Sequence, residues 1–243
     1  MTLSPQHVFS PSQIISHEQC PFCWECNLEH QPQILTETKY ADAGTVIHQS
    51  IAEYFRTINP NPTKGEIEGT FQTILDRNWQ ASGLKQMEPR KDKCFESFTR
   101  FEVKRKKSWL QYIPSMIEQN LTTTINGINY RTIVDAYWEK DATIVDWKSG
   151  RLNQLGIMER IQGQVMKMII TAQRKPVLRV LFVSLLVGAE LPMPETTDGF
   201  VEVKVRSMFE RFRTNHFPKK KGYHCDYCGY TLRCKLGDRC IWM

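Results

Sequence analysis

The chain has 243 residues, 41% hydrophobic and 24% charged, with a formal net charge of +6 at pH 7. That length and mix exclude a disordered chain and suit one large globular domain, here read as 1–243. No apolar run is long enough to span a bilayer and Met1 to Gln13 is polar, so a cytoplasmic protein with no membrane partner and eight reduced cysteines is expected.

Ser10 or Ser12 is placed to cap a short helix that Pro21 ends. After a polar stretch, Gly44-Thr45 starts an amphipathic helix with Val46, Ile47, Ile51, Tyr54 and Phe55 apolar, broken by Asn59-Pro60-Asn61-Pro62. Two more helical stripes follow to about residue 119. Phe71, Ile74, Leu75 and Trp79 form the first; Phe95, Phe98, Phe101, Trp109, Leu110 and Ile113 form the second. Arg90-Lys91 and Lys104-Arg105-Lys106-Lys107 accompany them, which gives a helical insertion, about 60–120, with one basic face.

After Pro114 the pattern turns to strands. Thr122 to Ile125, a hairpin at Asn126-Gly127, Ile128 to Trp138 and Ala142 to Trp147 read as a β-meander. Gly156 to Gln173 is apolar nearly all round and reads as a buried helix. Arg179 to Val187 reads as a strand and Phe200 to Val205 as another by its alternation. A last helix holds Met208, Phe209 and Phe212, and His216 to Met243 is loop-like, Lys-rich and Cys-rich. This order predicts an α/β fold, a mixed sheet flanked by helices.

Strand geometry puts Asp146 and Lys148 on one face, with Trp147 opposite, and an antiparallel pairing brings Asp135 beside Asp146. Two carboxylates suit a hard divalent cation, and a neighbouring ammonium could orient or deprotonate water, as phosphodiester hydrolysis requires. Burial is expected to depress the Lys148 pKa. A surface Asp/Lys cross-strand pair is the bland alternative, although Val134 and Val145 place both acids inside apolar strands. His48 shares a helix face with Ile51, Ala52 and Phe55, which by itself favours a packed core histidine. Gln162 sits on the buried helix and needs polar partners, with Gln164 a competitor.

Cys225-x2-Cys228-x5-Cys234, with Cys20 far upstream, could hold a metal or a cluster and tie the chain ends together. Thiolates serve zinc or iron–sulfur clusters. Cys23 or Cys26 could replace Cys20, Cys240 follows Cys234, and Cys94 reads as core. Lys219, Lys220 and Lys221 beside Phe217, Tyr223 and Tyr227 read as a site for single-stranded DNA, where rings stack on bases and lysines track phosphates.

Taken in order, these motifs resemble the RecB-like branch of the PD-(D/E)XK nuclease superfamily. Gly44-Thr45-Val46-Ile47-His48 is similar to its helix start, Asp135 to its second-strand aspartate, Asp146-Trp147-Lys148-Ser149-Gly150 to its D-x-K-S strand end, and Gln162 to its helix glutamine. Ser10-Pro11-Ser12 with Cys20-Pro21 and the C-terminal cysteines is similar to the four-cysteine iron–sulfur subset, which includes CRISPR-associated adaptation nucleases and the AddB nuclease domain. Met166 departs from the tyrosine usual four residues after the glutamine.

The resemblance implies a restriction-endonuclease-like core. It implies Mg²⁺ or Mn²⁺ on His48, Asp135, Asp146 and the Trp147 carbonyl, water activation by Lys148 supported by Gln162, and a 4Fe–4S cluster on Cys20, Cys225, Cys228 and Cys234 joining segment 216–243 to 10–30. The expected activity is a metal-dependent DNA nuclease, an exonuclease on single strands or DNA ends. CRISPR prespacer processing or service beside a helicase is one alternative; a non-catalytic DNA-binding scaffold on the same fold is another.

Overall fold

The computed structural model describes residues 6–30, 39–197, 199–222, 224–225, 228–230 and 234. Two compact units emerge: one of Met1–Thr38, Thr122–Arg131 and Glu195–Met243, the other of Lys39–Leu121 and Thr132–Pro194. Strands β2 (Met116–Ile125) and β3 (Ile128–Trp138) run through both.

In the first unit β1 (Val8–Phe9) lies parallel to the start of β3, Val8 opposite Asn129 and Phe9 opposite Tyr130. Asn126 and Gly127 turn β2 into β3 with φ of 51° and 76°, the doubly left-handed hairpin turn that this dipeptide favours. Ser10 caps α1 (Pro11–Gln19) with a full capping box. Pro21 does not simply end that helix; it opens α2 (Pro21–Leu28), because a missing N–H costs nothing at a first helical position. The expected strand at Phe200 to Val205 is instead part of α7 (Gly199–Thr214). Its valines alternate, yet Val201, Val205, Met208 and Phe212 recur at helical spacing and are all buried, so packing overrides the local alternation. Trp24 meets Phe212 edge-on at 5.1 Å and anchors α2 on α7.

The second unit holds a mixed sheet. β4 (Thr143–Lys148) is antiparallel to β3 and parallel to β5 (Arg179–Ser184), and β6 (Ala189–Pro192), unforeseen in the sequence, returns antiparallel to β5. The strand expected to reach Val187 ends at Ser184, where the chain turns through Gly188 at φ 71°. Helix α6 (Ile157–Ala172) makes the crossover from β4 to β5. Gly163 of α6 leaves room for Phe182 and Met193 against its backbone. The helix expected to be buried is not covered on every side, since Ile157 is 48% exposed.

The other sheet face carries Ala136, Trp138, Val145, Trp147, Leu181 and Val183, and packs on α3 (Lys39–Thr57), α4 (Lys64–Ser82) and α5 (Glu88–Lys106). Its core is aromatic: the Trp147 ring meets Phe98 at 5.4 Å and Phe101 at 5.2 Å. α3 is in place by Lys39, so Gly44 lies inside the helix rather than at its start. Trp109, Leu110 and Ile113 lie beyond the end of α5, with Leu110 79% exposed.

The Lys104–Lys107 run is not a free basic face. Arg105 is buried and makes a bidentate pair with buried Glu102, Nε to Oε1 at 2.9 Å and Nη2 to Oε2 at 2.6 Å. It also donates to the Gln111 and Tyr112 carbonyls and lies 4.5 Å from the Trp138 ring centroid. Lys104 pairs with Glu190 at 2.7 Å, and Lys106 bonds the Pro62 carbonyl. Among the described residues no helix is long and apolar enough to cross a membrane.

Candidate active site

The site is built in the second unit where β3 and β4 meet. The ladder pairs Ala136 with Val145, and one step further along this register Asp135 faces Asp146. There the Trp147 amide donates to Asp135 Oδ2 at 2.8 Å. The Asp146 side chain is almost fully buried (2% exposed). Lys148, two residues on and so on the same face, places Nζ 2.8 Å from Asp146 Oδ2. Gln162 of α6 closes a triangle: its Nε2 donates to Asp146 Oδ1 at 2.5 Å, and its Oε1 accepts from Lys148 Nζ at 2.6 Å. Gln164 is buried elsewhere on α6 and Met166 is in the core.

Helix α3 brings His48, whose Nδ1 lies 3.3 Å from Asp135 Oδ2 and 3.5 Å from Glu118 Oε1. His48, Glu118 and Asp135 therefore form a three-ligand group, with Asp146 held next to it by Lys148 and Gln162. His48 and Glu118 line a cavity of about 530 Å³.

Glu118 is absent from the candidates the sequence offers because the first β-prone run there begins only at Thr122, whereas β2 begins at Met116. Met, Glu and Gln favour helices, yet Pro114 and tertiary pairing start β2 at Met116. Glu118 adopts φ 46°, a left-handed conformation rare for a residue with a side chain. Such conformations cost about 1–3 kcal/mol and collect at functional sites. Pro114 marks the end of helical structure, since no helix continues comfortably past it, but no alternation from Met116 onward singles out Glu118 as a ligand.

Electrostatics show what the cluster lacks. Burial, then the charge on Asp135, lifts Asp146 to about 6 despite Lys148 and His48. Burial disfavours a charged His48, but Asp135, Glu118 and Asp146 outweigh it and raise the imidazole to about 10. Burial likewise opposes the Lys148 ammonium, but Asp146 first, then Asp135 and Glu159, hold its pKa above the ordinary lysine value. The expected depression of Lys148 is thus reversed, because its ion pairs exceed its desolvation cost. Three carboxylates and an imidazole crowd one spot, and protons on His48 and Lys148 supply the positive charge. Hard oxygen donors with one nitrogen fit a divalent cation, which would relieve the same repulsion.

The thiols gather in the first unit. Cys20 Sγ accepts from the Lys220 amide at 3.3 Å, Cys225 Sγ from the Gly222 amide at 3.5 Å, and Cys23 Sγ stands 3.3 Å from Cys228 Sγ. The Cys23 thiol beside it, then burial opposing and the Lys220 amide assisting, brings Cys20 down to about 5, whereas Cys23 is pushed up by the same contact and by burial. A Cys20 thiolate with amide donors suits a soft metal or a cluster. The Cys234 amide bonds the Tyr230 carbonyl at 2.9 Å. Cys26 is buried, and burial lifts Cys94 to about 12 in the other unit.

Of the lysines expected to contact DNA, Lys219 bonds the Cys234 carbonyl at 3.1 Å and sits over the Phe22 ring, and Lys220 Nζ bonds the Glu18 carbonyl at 2.9 Å. Lys221 also has a partner. Tyr223, Tyr227 and Cys240 lie outside the described residues.

Fold and site together define an α/β protein whose central strands carry a carboxylate–lysine centre suited to a divalent cation. The chain belongs to the PD-(D/E)XK nuclease superfamily, whose family model matches residues 8–235. It is therefore a nuclease with a restriction-endonuclease-like core. Among solved structures it is similar to a provisionally named exonuclease from Eubacterium rectale, at TM-score 0.51 and 14% identity over 94% of this chain and 92% of that one. SSO0001 matches at TM-score 0.39 and 13% identity over 79% of this chain and 94% of that one. No curated protein matches the sequence.

Proposed function

We propose that this nuclease is a metal-dependent DNA hydrolase of the RecB-like branch, acting as an exonuclease on single strands or DNA ends in the cytoplasm, with the whole chain serving as one nuclease domain. The convergence of Asp135, Asp146, Lys148, Gln162, His48 and Glu118 carries this reading. The provisional exonuclease name of the Eubacterium rectale neighbour agrees with it.

Asp135, Asp146, His48 and the Trp147 carbonyl would hold Mg²⁺ or Mn²⁺, with Glu118 added to the set. When bound, the ion offsets charge on the scissile phosphate and makes water more acidic. Lys148 is held as an ammonium, so it donates to water or to a phosphate oxygen and orients the attack, rather than accepting a proton. Gln162 fixes both Lys148 and Asp146. Burial is what distinguishes this from a solvated cross-strand pair, the Asp146 side chain being 2% exposed. It also weighs against a non-catalytic scaffold, which needs no such buried charges.

The test is labelled DNA with Mn²⁺. Wild type degrades it; Asp146→Ala and Lys148→Ala do not. Equal activity in either variant removes this active site. Trimming of DNA ends for CRISPR adaptation and work beside a helicase use the same chemistry, and a partner pull-down separates them.

Cys20, Cys225, Cys228 and Cys234 would hold a structural 4Fe–4S cluster joining segment 216–243 to 10–30, with Cys23 able to substitute. The amide-to-sulfur bonds at Cys20 and Cys225 support thiolate ligands. Protein prepared without oxygen should be brown and contain iron. A colourless, zinc-bearing preparation would defeat the cluster.

A further inference from the structure

A second cavity of about 420 Å³ lies in the same unit, lined among others by Tyr40, Arg90, Lys93 and Arg151. Arg90 Nη2 donates to the Ser149 carbonyl at 2.6 Å, so the cavity adjoins the residue that follows Lys148. The Arg90 guanidinium lies 5.3 Å from the Tyr40 ring centroid, and its buried Nε has no hydrogen-bond partner. Tyr40 is nonetheless 61% exposed, so much of its ring is open to solvent. Lys93 and Arg151 are exposed and form no ion pair with a described carboxylate. Neighbouring Lys91 behaves otherwise, neutralised by Asp76 at 2.6 Å and Glu88 at 2.7 Å.

Helix α3 connects this cavity to the catalytic centre. Tyr40, Gly44 and His48 recur every fourth residue and so form one row along it. His48 is at the carboxylates, Gly44 lies against Ser149, and Tyr40 is at the cavity. Eight residues of helix span about 12 Å, or about three stacked nucleotides at roughly 3.4 Å each.

Resting on the nuclease reading above, we infer that Tyr40, Arg90, Lys93 and Arg151 form a subsite for the substrate strand: a base stacks on Tyr40 and the three cations hold phosphates about three nucleotides from the scissile bond. An aromatic platform ringed by unneutralised cations is what single-stranded nucleic acid requires, since every base has a π-face and every linkage a charge. Solvated surface cations alone would not need an exposed ring among them.

The test is binding of a fluorescein-labelled single-stranded deoxyoligonucleotide to the full chain, followed by anisotropy in chelator across salt concentrations. Tyr40→Ala should weaken binding about 5- to 100-fold, and Tyr40→Phe should stay close to wild type. Lys93→Ala with Arg151→Ala should flatten the salt dependence by about 0.7 per residue. Wild-type affinity and salt slope in these variants, or no binding by wild type, would overturn the subsite. The same oligonucleotide with Mn²⁺ separates the two readings. Binding through Tyr40 without cleavage sinks the nuclease assignment alone, and cleavage with unchanged affinity in the variants sinks the subsite alone.

Discussion

Gly44 and Ser149 meet with little room between them: a Cβ on residue 44 would stand 2.8 Å from Ser149 Oγ and 3.9 Å from its Cβ. This approach sets how close α3, and with it His48, comes to the end of β4. A single methyl asks only that the Ser149 hydroxyl rotate, and alanine is the better helix former by about 0.5–1 kcal/mol. Gly44→Ala should therefore melt at or above the wild-type temperature and keep most activity. Gly44→Val has branches that a rotated hydroxyl cannot clear. It should lose on the order of 100-fold in kcat/KM on labelled DNA, as small misplacements of catalytic groups do. Equal rates for Ala and Val would show that the approach does not position His48.

Glu118 sets a second test, because its backbone and its carboxylate pull in opposite directions. Glu118→Gln should weaken Mn²⁺ binding, followed by calorimetry or by the ion's paramagnetic resonance, by about 10-fold or more. Glu118→Gly should weaken it likewise without lowering the melting temperature, since glycine accepts φ 46° freely. Unchanged Mn²⁺ affinity in both would remove Glu118 from the site.

The buried Arg105–Glu102 pair fastens the chain after α5 through the Gln111 and Tyr112 carbonyls. Removing one partner strands a buried charge, so Arg105→Ala and Glu102→Gln should each cost about 3–5 kcal/mol in urea unfolding. Exposed Lys107→Ala should cost nearly nothing. A loss below about 1 kcal/mol at Arg105 would contradict the burial described.

His17 fixes the sign of a pH effect. Burial first, then Arg211, Lys204 and Lys220 against Glu18, lowers it to about 4, and neither ring nitrogen has a hydrogen-bond partner. The unfolded chain takes up this proton near 6.5 and the native chain only near 4, so the unfolded state binds more protons between those values. Stability should be unaffected by this group above about 6.5 and fall as pH drops from there towards 4. His17→Phe should flatten that limb of a melting-temperature profile. An unaltered profile in the variant would show that His17 is protonated in the fold.

The chemistry of the site was legible in the sequence because it rests on local rules. Alternation on a strand put Asp146 and Lys148 on one face, and the Asn126-Gly127 turn forced the reversal that leads into β3 and Asp135. The helical stripes of α4 and the buried face of α6 were legible for the same reason. Tertiary pairing decided what local propensity misread. It made residues 116–120 a strand, delivering Glu118, while packing of Val201, Val205, Met208 and Phe212 made the alternating valines of 200–205 a helix. It also decided charge. The sequence gives the acids and the lysine but not their distances, and it is the 2.8 Å ion pair with Asp146, stronger than the cost of burial, that keeps Lys148 protonated. Periodicity can be read from residue order, whereas an electrostatic balance depends on separations that only packing sets.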